Sequence, residues 1–273
     1  MTEYPIFVPY DGGHLATIVT VPEDRPRGLV LLLQGLGAPR AHRYGMWARA
    51  ARSMAAKGIA VARFDYPDVG DSTGSLPARM DAPPTSEALA VATTVMDATG
   101  VEVFGIVGNC LGARTAFEIA AQVDACVSAV SLGSPKGLLH GEGRTAPHRA
   151  ARRAARKLPK AAKLIRRVVQ TDKVKPRLKF VSAVQRSMSR AHVLFLLLHK
   201  DGGPALERRI ATMASESDKR PGLRTEVQTI DVEGSAIFQL PLKSHQHVID
   251  ALVDWMDGTM PEARRTEELV KEG

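Results

Sequence analysis

Apolar and polar positions along the chain follow two periods. Glu3 to Pro9 and Leu15 to Val21 alternate toward β-rich residues on either side of Asp11-Gly12-Gly13, which predicts a hairpin. Gly28-Leu29-Val30-Leu31-Leu32-Leu33 is a continuous apolar run, the pattern of a strand buried on both faces. The period changes to that of a helix over Arg43 to Lys57, with Met46, Trp47, Ala50 and Met54 on one face and Gly58 as the stop. Ile59 to Phe64 predicts the next strand. Ser86 to Ala98 predicts a helix with Ser86 as its N-cap and Gly100 near its end. Val101 to Val107 is a further strand, Ala113 to Ala121 has helical spacing, and Ala125 to Leu132 is again a strand. Regular alternation stops at Gly133. It resumes with a strand over Ala191 to Leu198, a helix over Pro204 to Ala214 and a strand over Thr225 to Val232. A last helix over Ser244 to Met256 presents Val248, Ala251, Leu252 and Trp255, and the charged stretch 260–273 is expected to fray. This order implies an α/β fold: a mostly parallel sheet flanked by helices, with its site at the C-terminal ends of the strands.

One junction in this pattern carries chemistry. The strand ending at Val107 meets the helix after Gly112 through Gly108-Asn109-Cys110-Leu111-Gly112, which has the form of the G-x-S-x-G nucleophile elbow with cysteine in place of serine. The glycines are needed because the central residue sits in a strained conformation and side chains two positions away would collide. Such a turn lifts Cys110 above the sheet and aims the Leu111 amide, at a helix N-terminus, toward any oxyanion formed there. A tight strand-to-helix turn with Cys110 as a small buried residue fits the pentapeptide equally well.

Composition adds bounds. The 273 residues, 44% hydrophobic, are enough to bury a full core. There are two cysteines, Cys110 and Cys126, and the second lies in a strand-like run. A disulfide framework is therefore not expected, and a reducing, cytoplasmic compartment is. The N-terminus has no basic region followed by an apolar core, so no signal peptide is expected, and no uncharged apolar stretch is long enough to span a bilayer.

The formal net charge of +8 is unevenly spread. Residues 133–190 hold 17 Lys and Arg against two acids, Glu142 and Asp172, whereas the rest of the chain holds 20 basic and 27 acidic residues. Pro147 to Leu158 and Pro159 to Val169 read as two basic helices with thin apolar stripes. A solvated helical face accounts for most charge runs. One this one-sided also suits an anion-attracting lid, for a CoA or phosphopantetheine thioester, an acidic carrier protein or an anionic membrane surface. Nucleic acid is disfavoured: Phe180 is the one aromatic residue there for stacking, and no binding motif is evident.

Taken together, these blocks resemble the α/β-hydrolase fold along nearly the whole chain. The likeness is carried by Gln34-Gly35-Leu36-Gly37, where the family usually has His-Gly-x-Gly, by Phe64-Asp65-Tyr66 followed by Gly70-Asp71-Ser72, by the cysteine elbow, and by Asp201 after a late strand. The Phe-Asp-Tyr and Gly-Asp-Ser blocks with a cysteine elbow look most like the small hydrolases encoded beside bacterial exosortase systems and their serine-aminopeptidase-like relatives. The resemblance implies a hydrolase core over 1–132 and 191–259, a basic helical cap over 133–190 and a tail over 260–273. It implies an acyl-transfer enzyme acting on a small-molecule ester or thioester, by hydrolysis or transfer, with no cofactor or metal. Cys110 falls at the nucleophile, Leu36 and Leu111 at the oxyanion-hole amides, and Asp201 at the acid that orients an imidazole. Asp65 and Asp71 read as structural, bonding loop amides.

The histidine is where the pattern departs. The stretch just past the last strand is Gly234-Ser235-Ala236-Ile237-Phe238, and Ala236 occupies the histidine slot implied by the resemblance. His245 is in register with Val248 and Leu252, so it either points inward as the base or caps the final helix. His247 is off that register and expected to be exposed, and His199 ends a strand near Asp201. A longer loop that folds His245 back, a degenerate site binding an acyl or carrier-protein ligand, and an engineered Ala236 all fit the sequence.

Overall fold

The computed structural model describes residues 1–35, 37–74, 82–134, 138, 179–198, 203–232 and 240–262. Among them, eight strands form one sheet in the order β1-β2-β4-β3-β5-β6-β7-β8. The strands are β1 (Thr2–Tyr10), β2 (Gly13–Val21), β3 (Leu29–Leu33), β4 (Ala60–Phe64), β5 (Phe104–Asn109), β6 (Cys126–Leu132), β7 (His192–Leu198) and β8 (Thr225–Ile230). β1 and β2 pair antiparallel around the turn at Asp11-Gly12, and β2 runs antiparallel to β4. Every pairing from β4 through β3, β5, β6 and β7 to β8 is parallel.

The helices are α1 (Met46–Ala55), α2 (Thr85–Thr99), α3 (Leu111–Ala120), α4 (Pro204–Glu216) and α5 (His245–Asp257), with a further helix over 179–190. They cover the sheet on both faces, which is why the central strands are mostly apolar without alternation. Leu29, Leu31 and Leu33 of β3 face the core shared with α2, α3, α4 and the 179–190 helix. Val30 and Leu32 face the core shared with α1 and α5. Each of these side chains is fully buried and stabilises the fold by roughly 2 kcal/mol.

Three local readings needed correction. Ser86 is not the N-cap of α2: Pro84 holds that position, and the Ser86 hydroxyl shares a hydrogen bond with the Tyr10 hydroxyl and donates one to Glu87. The helix expected from Arg43 begins in a 3-10 turn, Arg43–Gly45, because Tyr44 and Gly45 adopt left-handed backbone, and the α-helix starts at Met46. The residues of 179–190 pack on the sheet, with Phe180, Val184 and Met188 buried in the core with Phe117 and Phe195. Their spacing of four marks an apolar stripe that the surrounding basic residues obscured. The two helices expected over 147–169 lie outside the described residues. No helix among the described residues is long and apolar enough to cross a membrane.

Candidate active site

The elbow forms where β5 leaves the sheet. Cys110 stands between Asn109, the last residue of β5, and Leu111, the first of α3, at φ 52° and ψ −111°. Packing makes the flanking glycines obligatory. A Cβ on Gly108 would come within 2.5 Å of Ala113 N and collide with the backbone of Gly112, while one on Gly112 would lie 2.6 Å from Leu33 O. The turn therefore seats α3 directly on β3 and leaves the Cys110 side chain exposed. Among the described residues no side chain caps the N-terminus of α3, which leaves its first-turn amides, that of Leu111 among them, to a developing negative charge.

The loop that follows β3 is clamped to the neighbouring strand exit. Gln34 is buried and donates from Nε2 to Phe64 O at 2.6 Å, while the Tyr66 hydroxyl donates to Gln34 O at 3.1 Å. Burial drives the Tyr66 phenol well above its ordinary range, with Glu87 and Cys110 adding to the effect, so it remains a neutral donor. Further along the loop, the Arg40 guanidinium pairs with Asp65 and, at 2.7 Å, with Asp71. Asp65 also accepts the Arg40 amide at 2.7 Å and the Asp71 amide at 3.4 Å, as a loop-bonding carboxylate does. Gly70, at φ 56°, presses on the Asp65 carboxylate, leaving no room for a side chain.

Two buried histidines adjoin this region, His42 in the loop itself and His245 on α5. His42 is 4% exposed, its ring 5.1 Å from that of Trp47, and its Nε2 accepts a hydrogen bond from Asn109 Nδ2 at 3.3 Å. Burial, and then the nearby His245, push its pKa down to about 4, so the ring is neutral. His245, at the start of α5, points inward and is 1% exposed. Its Nδ1 accepts from Arg49 of α1 at 2.9 Å, and its Nε2–H donates to Leu240 O at 3.3 Å. Burial lowers its pKa, the Leu240 carbonyl opposes this, and Arg49 and Arg43 lower it further. Both ring nitrogens are thus engaged, and His245 could serve a thiol only by releasing one of them. His247 is exposed. Leu36, Asp201, Ala236 and His199 lie outside the described residues. Among the described residues no cluster of three His, Cys, Asp or Glu is placed to hold a metal ion.

A family model for the alpha/beta hydrolase fold matches residues 28–222, from the start of β3 to just before β8. The chain belongs to the α/β-hydrolase fold family. Solved α/β hydrolases are similar over nearly the whole chain. An esterase from Pyrococcus furiosus, Pf2001, has a TM-score of 0.60 at 14% identity, covering 95% of this chain and 92% of its own. Est1E from Butyrivibrio proteoclasticus, solved with ferulic acid, gives 0.59 at 14%, covering 93% and 98%. A monoacylglycerol lipase from Paleococcus ferrophilus gives 0.53 at 19%, covering 90% and 99%. At these identities the likeness is one of fold. No curated protein sequence matches this α/β hydrolase significantly.

Sequence reasoning missed His42, Tyr66, Arg40 and Arg49. Tyr66 lies inside the motif Phe64-Asp65-Tyr66, which gave it no role of its own, and Arg40 follows Gln34-Gly35-Leu36-Gly37 by three residues. His42 and Arg49 bond to residues 67 and 196 positions away, and nothing local announces either contact.

Proposed function

We propose that this α/β hydrolase is an acyl-transfer enzyme in which the Cys110 thiolate attacks the carbonyl carbon of an ester or thioester. The reading rests on one observation: an exposed cysteine held at positive φ between two sterically obligatory glycines, at the uncapped start of α3. A thiol needs less activation than a hydroxyl, because a few per cent is already thiolate at neutral pH. As sulfur bonds to carbon, the carbonyl electrons move to oxygen, and the oxyanion takes the Leu111 amide and, on this reading, that of Leu36. Collapse expels the alkoxide or thiolate, which takes up a proton, and leaves an S-acyl enzyme. Water or a second acceptor then attacks that thioester and restores the thiol, giving hydrolysis or transfer.

The second step needs a proton acceptor more than the first, because water must lose a proton. Asp201 is assigned to orienting an imidazole, and His245 is the histidine assigned to the base, on release of Arg49. The basic segment 133–190 suits acyl groups delivered on CoA, on phosphopantetheine or by an acidic carrier protein, and contact with an anionic lipid surface. A second reading, a fold that binds an acyl or carrier-protein ligand without turnover, is favoured by the engagement of both His245 nitrogens and by Ala236 in the expected histidine slot.

An activated aryl ester, with product release followed from the first turnover, tests both. The expected result is a burst of one equivalent, an acyl mass adduct on Cys110, and slow steady turnover. Cys110→Ala should abolish the burst and Cys126→Ala should keep it, since Cys126 is buried and its thiol is pushed up to about 12. A burst that survives Cys110→Ala sinks the mechanism, and ligand binding with no adduct favours the second reading.

A further inference from the structure

The loop from β3 to α1 carries unusual backbone. His42 sits at φ 57° and ψ 174°, a combination essentially reserved for glycine, and Tyr44 follows at φ 53° and ψ 29°. Glycine at position 42 would relieve the strain. The chain instead keeps an imidazole there and holds it in place. The His42 amide donates to Pro39 O at 2.9 Å, its carbonyl accepts from Gly45 at 3.2 Å, and its ring lies on Trp47, which is itself fully buried. What the strained backbone gains is the contact at the ring's far end, where Nε2 accepts from Asn109 Nδ2.

Asn109 is the residue that precedes Cys110. It is completely buried, and it follows Gly108 just as Gln34 follows Leu33 at the ends of two paired strands. Among the described residues its Oδ1 has no hydrogen-bond partner, so His42 is the carboxamide's anchor. The opposite side of the elbow is fixed by Gly112 against Leu33. From this geometry we propose that His42 is a positioning residue for the nucleophile, locking the β3–α1 loop onto Asn109 and so setting the orientation of Cys110 at the start of α3. The inference rests on Cys110 being the nucleophile of the proposed reaction.

The test measures the rate of Cys110 alkylation by iodoacetamide at one fixed pH, which needs no ester substrate, beside the acylation burst. Cys126 is buried and does not compete. His42→Gly should fold, because it removes backbone strain, yet its alkylation rate should fall at least threefold as Cys110 loses its orientation. Its acylation rate should fall at least tenfold with KM changed by less than threefold. His42→Gln, whose amide oxygen reaches the Nε2 position and can accept from Asn109, should restore both rates. Should His42→Gly fail to fold, Asn109→Leu removes the same bond from the other side and is expected to slow alkylation likewise. A wild-type alkylation rate in the folded variant, or no restoration by His42→Gln, overturns the proposal whatever the ester kinetics. An alkylation rate that depends on His42 in a protein that forms no S-acyl adduct would leave the positioning role standing and remove the acyl-transfer reading.

Discussion

Arg49 donates a hydrogen bond to Nδ1 of His245 at 2.9 Å, joining α1 to the first residue of α5. The bond fixes the tautomer: the proton sits on Nε2, facing Leu240 O. Protonation at Nδ1 would set two cations against each other, which is one reason the ring's pKa is low. Arg49→Met is therefore expected to raise the His245 pKa toward its ordinary value of 6.5, read from the histidine ring proton shifts in an NMR titration. An unchanged midpoint would mean that burial and Arg43 hold it down without Arg49.

His42 should make stability depend on pH. An unfolded histidine protonates near pH 6.5, whereas His42 in the fold does so only at about 4. Above pH 6.5 both states are neutral and the residue adds no slope. As the pH falls through 6.5 the unfolded chain gains the proton first, so stability declines until about pH 4, by roughly 3 kcal/mol in all. Urea midpoints measured from pH 7 to 4 should fall less steeply for His42→Gln than for the wild type. Parallel slopes would show that other groups carry the acid sensitivity.

The elbow glycines should tolerate no side chain. Gly108→Ala and Gly112→Ala each place a Cβ against backbone atoms that belong to different elements, and a loss of about 3 kcal/mol or more is expected from each. Gly222, at φ 84° with open space around it, provides the contrast: Gly222→Ala should cost about 1 kcal/mol, from backbone conformation alone. Chemical denaturation of the three variants separates packing from strain.

Arg40 compensates a carboxylate that water barely reaches, since the Asp65 side chain is 1% exposed. Arg40→Ala should destabilise the protein by about 2 to 3 kcal/mol, less than for a fully buried pair because Arg40 itself is partly exposed. Adding Asp65→Asn should recover part of that loss, as a neutral amide needs no counter-charge. If the double variant is no more stable than the single one, the ion pair is not what Arg40 contributes.

What could be read in the sequence was what is local. The alternation of strands and helices placed the eight described strands within a few residues, because the central strands are mostly apolar on both faces and each helix presents a period of 3.6. The elbow was legible for the same reason: its glycines are dictated by neighbours within four residues and by one strand. The register of His245 with Val248 and Leu252 allowed an inward direction beside a helix-capping one, and the packing of α5 chose the first. The bonds that then engage its ring were not legible, because Arg49 is brought to it only by the packing of α1 beside α5. Nor was the positive φ at His42 and Tyr44 visible, since no glycine marks either position. Asp65 was legible as a loop-bonding carboxylate, but not the arginine that answers it.

The sheet also divides the support of Cys110 between its two faces. Gly112 meets Leu33 on the side of α2 and α3, while Asn109 meets His42 on the side of α1 and α5. The smallest portable unit of this site is accordingly two-piece, residues 33–47 together with residues 108–112. A graft of the pentapeptide alone into another parallel sheet would carry the turn without its anchor. Shuffling between relatives should keep the two segments from the same parent.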